Sequence, residues 1–212
     1  LLIYNKFYNI NIMTENLPEL NLVFSTPIWT SLVDDYQNIN AKMLKYIQSM
    51  HEKNPMGTKR SNVIGWHSEN FDLEDETVKF FISSIKPKIK KTIDDMCWDP
   101  EKSQTKITNM WAIINKKGAS NTRHTHNNSY LSAAYYIKAP KHCGDILFYD
   151  PRSAKVTRKP PTTKSNALNA EEVNITPQDG MIVFFPSYLH HAVSENRSDE
   201  ERIVISFNVD MR

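Results

Sequence analysis

Four of the seven histidines in the chain fall in two tight pairs, His124/His126 and His190/His191. Imidazoles two residues apart can offer two nitrogens to one divalent ion. On a strand, residues i and i+2 point to the same side, so His124 and His126 can converge there. A pair of histidines in a polar turn would read the same way. The second pair follows an apolar run and the Pro186-Ser187 turn. Adjacent residues on a strand face opposite sides, so only one of the two joins a site. His191 is the better placed, because it stands where a new strand should begin, two residues before Val193; His190 then falls on the other face or the rim. Arg202 opens a further strand that alternates Ile203, Ile205 and Phe207 against Arg202, Val204, Ser206 and Asn208. An arginine among barrel strands is costly unless its guanidinium has a partner. A structural ion pair with Asp or Glu would serve, and so would a bound carboxylate met by the planar fork. A metal beside a carboxylate clamp is what a 2-oxo acid requires. Its 1-carboxylate and keto oxygen chelate the ion, and its distal carboxylate meets the arginine.

The elements that must position these residues divide into a helical and a β-rich part. Residues 20–30 read as a strand interrupted by Pro27, which favours an edge or a strand end. A helix over about 34–53 opens at Asp34 and Asp35, with Ile39, Met43 and Ile47 at helical spacing. A second, over about 74–97, carries Val78, Phe81, Ile85, Ile89 and Ile93 on one face, with Pro87 as a candidate kink. Its lysines, Lys86, Lys88, Lys90 and Lys91, read as a solvated face. After Pro100, seven short apolar runs at 105–115, 130–138, 145–149, 173–175, 181–185, 190–194 and 202–209 are separated by turn residues. That spacing predicts a mainly β body with supporting helices, either a sandwich or a double-stranded β-helix (jelly roll, cupin-like) core. Residues 152–172 form a polar insertion with Pro160-Pro161, of the kind that is either disordered or placed over a site. Residues 1–19 are expected to be a flexible extension and 20–212 a single domain.

Composition removes several function classes. At 212 residues the chain suits one domain. No apolar stretch approaches the roughly 18 residues of a membrane span, so no membrane role is expected. Two cysteines cannot build a disulfide framework or a thiolate metal cluster, which suits a reducing compartment. A net charge of +2 supplies no basic field, and only 153–164 offers a weak basic stripe, so nucleic acid is not an expected partner. The residues before Met13 lack the layout of a signal peptide.

Taken together, several stretches carry a resemblance: Gly65-Trp66-His67-Ser68; Trp111 through Gly118 to Asn121, His124 and His126; Ser129 to Tyr136; Phe148-Tyr149-Asp150-Pro151-Arg152; Phe185-Pro186-Ser187 to His191; and Arg202 to Asn208. Their order and spacing over about residues 20–209 resemble the 2-oxoglutarate- and Fe(II)-dependent oxygenases, in particular the small oxygenases of marine bacteria and their phages. The resemblance implies a jelly-roll core holding one Fe(II), with 2-oxoglutarate and O2 as cosubstrates. It implies hydroxylation of an unactivated C–H bond with release of succinate and CO2, in the cytoplasm of a bacterium or a phage-infected host. It puts the metal on His124, His126 and His191 and the cosubstrate on Arg202, with Tyr136 and Ser206 beside it. Trp111, Asn121 and Asn208 would surround these groups or the substrate, and Arg152 would meet an acidic substrate. A small molecule or a peptide would fit as substrate, and the oligomeric state stays open, a homodimer included.

One departure from the wider superfamily stands out. Its pattern is His-x-Asp/Glu with a distal histidine, and here His126 occupies the carboxylate position. The iron then has three histidines, or a carboxylate comes from elsewhere (Asp145 or Asp150), or the chain only binds metal. Two other readings remain. A cupin-type metalloenzyme fits Gly118-x5-His124-x-His126 and Gly180-x5-Pro186 but needs a glutamate absent from 127–133. A non-catalytic jelly-roll binding module would make the histidine pairs coincidental.

Overall fold

The computed structural model describes residues 20–152 and 160–211. The extension 1–19 and most of the basic part of the insertion lie outside the described residues.

The elements run β1 (Trp29–Leu32), α1 (Tyr36–Lys53), β2 (Asn62–Val63), β3 (Trp66–His67), α2 (Glu76–Asp95), β4 (Thr105–Asn115), β5 (Ser120–His124), β6 (Leu131–Lys138), β7 (Ile146–Tyr149), β8 (Glu172–Ile175), β9 (Met181–Pro186), β10 (His191–Val193) and β11 (Arg202–Met211). They build a mixed α/β fold around a large antiparallel β core. One sheet has six strands in the order β1-β9-β6-β11-β4-β3, and the other has five in the order β2-β5-β10-β7-β8. Neither sheet closes into a barrel.

The alternation along β11 explains how the core divides. Ile203, Ile205, Phe207 and Val209 join Tyr135, Phe184 and the apolar faces of both helices in the larger core. Val204 turns the other way, with Tyr136, Val183, Phe185, Ile146 and Phe148, into a smaller core. A period of two thus sends every second residue of the long strands between the sheets. The helices are amphipathic covers: Ile39, Met43 and Ile47 of α1 and Val78, Phe81, Ile85 and Ile89 of α2 are buried. The α1 face is pinned to β6 through Asn40, whose Nδ2 donates to Ile137 O (2.8 Å) and whose Oδ1 accepts from Tyr135 Oη (2.6 Å). Helix α2 begins at Asp75, whose carboxylate accepts from the Thr77 and Val78 amides. It runs on past Pro87 to Asp95.

Three segments differ from the sequence reading. The first strand starts only at Trp29, after Pro27; residues 20–28 are not a strand, and Phe24 has left-handed backbone (φ 56°). Pro27 offers no N–H for pairing, and β1 lies on the sheet edge. Strand β5 has no apolar alternation to announce it, and β2 and β3 are two residues each.

Candidate metal centre

Register places two of the histidines face to face. In the smaller sheet β10 pairs with β5 so that His191 stands opposite His124, while its other neighbour is Phe148 on β7. The His124 and His191 ring centroids are 4.2 Å apart. His126 arrives by another route than the pleat of a strand. Strand β5 ends at His124. The chain then leaves the sheet, and the His126 amide donates to Ser187 O (3.0 Å). This hydrogen bond to the turn before His191 swings the third imidazole inward. The donor nitrogens of His124, His126 and His191 all lie within 4.8 Å of one another.

Each ring is oriented by what holds its Nδ1. His124 Nδ1 lies 2.7 Å from Thr122 O, and His191 Nδ1 lies 2.9 Å from Leu189 O. Carbonyl oxygens only accept, so both Nδ1 atoms carry the proton. His126 Nδ1 lies 2.7 Å from Asn208 Oδ1. The Asn208 amide is oriented by its own Nδ2, which donates to Asn109 Oδ1 (2.9 Å). Its Oδ1 also accepts from Ser132 Oγ (2.8 Å). All three rings therefore present Nε2 lone pairs, the arrangement in which a metal-binding histidine is held by its other nitrogen. Asn208 and Ser132 belong to the larger sheet, so the centre joins both sheets.

The residues present fit a divalent ion. His124 Nε2 and His126 Nε2 are 3.3 Å apart. Metal–nitrogen bonds of about 2.1 Å put neighbouring donors about 3.0 Å apart at right angles and about 3.4 Å at tetrahedral angles. Two lone pairs at that distance repel unless a cation lies between them. Burial, then the neighbouring His124, pushes His126 down to about 4 and His191 down to about 3; burial also lowers His124. Neutral imidazoles are the ligating form.

These depressed values imply a pH dependence whose sign is fixed. Unfolded histidines titrate near 6.5, so between that pH and about 4 the unfolded chain binds protons that the native chain refuses. The metal-free protein should hold full stability above pH 6.5 and lose it as the pH falls toward 4 and then 3. Thermal melts from pH 8 to 5 check this; a flat Tm below 6.5 would contradict the depressed values.

Arg202 is 1% exposed and borders the same cavity, of about 640 Å³, as the three histidines. Among the described residues no carboxylate forms an ion pair with it. Its Nη1 donates to Cys143 O (2.6 Å) and Gly144 O (3.3 Å) instead. Burial lowers its pKa, which measures the cost of holding this cation out of water. Tyr136 is buried on the cavity wall, its pKa raised by burial and opposed by the charge of Arg202. Tyr135 points into the other core, as strand parity requires. Ser206 lines the cavity from β11.

The remaining candidates separate. Trp111 lines the cavity, edge-on to His126 at 5.5 Å. Asn121 also lines it, accepting from Asn115 Nδ2 (3.1 Å) and donating to Ser61 Oγ (3.2 Å). Arg152 does not line it; the side chain is exposed and forks onto Asp150 through Nε (2.9 Å) and Nη2 (2.8 Å). Asp150 is thus engaged, Asp145 accepts from Asn174 Nδ2 (2.7 Å), and neither belongs to the histidine cluster. His190 is exposed. Sequence reasoning assigned no role to His67, a buried member of the cavity wall.

The support of Arg202 has a weak point. Gly144 has φ +90°, and a Cβ there would meet Ser194 O, Glu195 O at 2.9 Å and Arg202 Nη1 at 3.0 Å. Gly144→Ala should destabilise by at least about 1–2 kcal/mol from left-handed strain alone, and by more than Gly118→Ala, because its Cβ also displaces the Arg202 guanidinium. Gly118 has φ +84° with nothing within 4 Å, so Gly118→Ala carries the backbone strain without a contact. Equal Tm losses in the two variants would count against the contact with Arg202.

Residues 109–208 match the family described as "Putative 2OG-Fe(II) oxygenase". That match spans slightly less than half of the chain. Solved structures share its fold at low identity. The non-heme alpha ketoglutarate dependent epimerase SnoN from nogalamycin biosynthesis is 14% identical, with 87% of this chain and 76% of that one covered at a TM-score of 0.62. A Pseudomonas putida prolyl-4-hydroxylase is 13% identical, with 89% and 94% covered and a TM-score of 0.59. A prolyl hydroxylase from Trichoplax adhaerens is 11% identical, with 86% and 83% covered and a TM-score of 0.59. The two-sheet core therefore resembles the double-stranded β-helix of superfamily members. No curated protein matches the chain. Among the described residues, no helix is long and apolar enough to cross a membrane.

Proposed function

We propose that the chain is an Fe(II)- and 2-oxoglutarate-dependent dioxygenase that hydroxylates an unactivated C–H bond of a small-molecule or peptidyl substrate. The observation that carries this reading is one cavity holding three Nε2 lone pairs and a buried arginine with no carboxylate partner among the described residues. Alone, the first is a metal site and the second a costly cation. Together they match a chelating oxo acid at both ends.

His124, His126 and His191 would hold the iron. When bound, iron supplies the activation of O2 and the oxidative decarboxylation of 2-oxoglutarate to succinate and CO2. The chain supplies position and charge. The Arg202 fork receives the distal carboxylate, offsetting the burial of both groups. Tyr136 stands beside it as a hydroxyl donor, and Ser206 offers another. Phe185, Ile146, Val193 and Val204 form apolar wall that limits water. With three neutral ligands the metal keeps its full charge. No Asp or Glu lies among the described lining residues, so the cavity is cationic and suited to a dianionic oxo acid. The same absence disfavours the cupin reading, which needs a glutamate and leaves Arg202 without a role.

Fe(II), 2-oxoglutarate and O2 should yield succinate even without substrate, and faster with it. Oxygen-dependent succinate formation measures this directly; none with any preparation that binds iron would overturn the reading.

A further inference from the structure

His67 is 8% exposed, lines the cavity and is held on three sides. Its Nδ1 lies 2.6 Å from Ser68 O, so Nδ1 carries the proton. Thr58 Oγ1 sits 3.0 Å from the same nitrogen, and the ring stacks on Trp111 at 5.7 Å and 11°. That fixes Nε2 as a lone-pair acceptor, and no described residue donates to it. It takes no part in the histidine cluster. Arg60, seven residues earlier, also lines the cavity, and its side chain is exposed and forms no ion pair among the described residues. Its charge acts on His67. One oxo acid leaves this second cation over: its carboxylates go to the metal and to Arg202.

We propose that His67 and Arg60 form the substrate-recognition wall, and that the substrate carries an N–H or O–H donor for His67 Nε2 close to a carboxylate for Arg60. Asn70, Asn109 and Thr122 add neutral hydrogen-bonding groups, and the described lining contains no acid that would attract a cation. The rigid mounting of His67 is that of a positioning residue, since a ring needed only for packing would not require a fixed tautomer. The proposal rests on the oxygenase reading in taking this cavity as the reaction chamber and in giving Arg202 to the oxo acid.

The test uses three probe types built on one amino acid, over a small panel of side chains: the N-acetylamino acid, its carboxamide, and its N-methyl analogue. Binding is followed by saturation-transfer NMR with Zn2+ and saturating 2-oxoglutarate, which keep Arg202 occupied. It is repeated with neither in an Arg202→Met background. The carboxylate should bind roughly tenfold tighter than the carboxamide, as expected for one charge-assisted contact. Arg60→Gln should bring that ratio near one, and Arg60→Lys should largely restore it. Preference for N–H over N-methyl should vanish in His67→Phe, which keeps the stacking, and persist in His67→Gln, which keeps an acceptor. Ratios unchanged by these variants, or no binding of any N-acetylamino acid at millimolar concentration, would overturn the proposal. Succinate formation by the wild type is measured in parallel: its absence removes the oxygenase reading, whereas the binding ratios decide the recognition wall separately.

Discussion

His191→Ala should abolish tight metal binding. Loss of a group that merely orients a ligand costs about 10–100-fold in metal affinity, so removal of a ligand should exceed that range. The variant leaves two donors, and His191 is the buried one of the three, wedged against Phe185 with ring centroids 4.6 Å apart. Deleting the ring also opens a hole there, so a stability loss alone would be ambiguous. His190→Ala separates the effects: His190 is the exposed neighbour, and its removal should leave metal affinity within a few-fold of wild type. Calorimetric titration with Fe(II) under argon, or with Co(II), reads both. Retained metal affinity in His191→Ala, or loss in His190→Ala, would contradict the assignment.

The second large effect belongs to Arg202. Arg202→Met keeps the volume and removes the fork. Truncating one partner of a buried, hydrogen-bonded charge pair costs about 2–5 kcal/mol, so 2-oxoglutarate should bind at least roughly thirtyfold more weakly. The metal should stay, because Arg202 is no part of the histidine cluster. Ligand-induced stabilisation makes the contrast measurable without turnover. At one hundred times its Kd, 2-oxoglutarate should add about 2.7 kcal/mol to the wild type, a Tm rise of roughly 5–10 °C. At the same concentration a thirtyfold weaker variant gains only about 0.9 kcal/mol, or roughly 2–3 °C. Arg202→Lys keeps the charge without the planar fork and should fall in between. Equal shifts in wild type and Arg202→Met would show that the cation serves the fold alone.

The long strands were legible because both of their faces are buried in different ways. Arg202, Val204, Ser206 and Asn208 alternate with large apolar residues that must meet the helices, so parity alone sends the polar set between the sheets. The same parity separates Tyr136 from Tyr135 and His191 from His190. Strand β5 was opaque because a five-residue strand with sequence SNTRH has no apolar alternation; cross-strand pairing to His191 holds it. The inference that His124 and His126 converge through strand parity also gave the wrong cause. Their convergence depends on a hydrogen bond to Ser187, sixty-one positions away in sequence, and on Asn208 of another sheet. Contacts of that range leave no local pattern. His67 was hidden for a similar reason: a single histidine in a short polar segment shows neither its tautomer nor its stacking on Trp111. The edge position of β1 was signalled by Pro27, but its true start was not, since an apolar run reads as a strand whether or not a partner lies beside it.

The most direct measurement is an anaerobic absorption titration of the wild-type protein with Fe(II) and 2-oxoglutarate. A chelated keto acid on ferrous iron gives a weak visible charge-transfer band that neither component gives alone. The account predicts the band only when both are present, its loss in His191→Ala, and a much higher 2-oxoglutarate concentration for its appearance in Arg202→Met. No band with both components, or a band indifferent to His191, would contradict a three-histidine centre that binds the oxo acid.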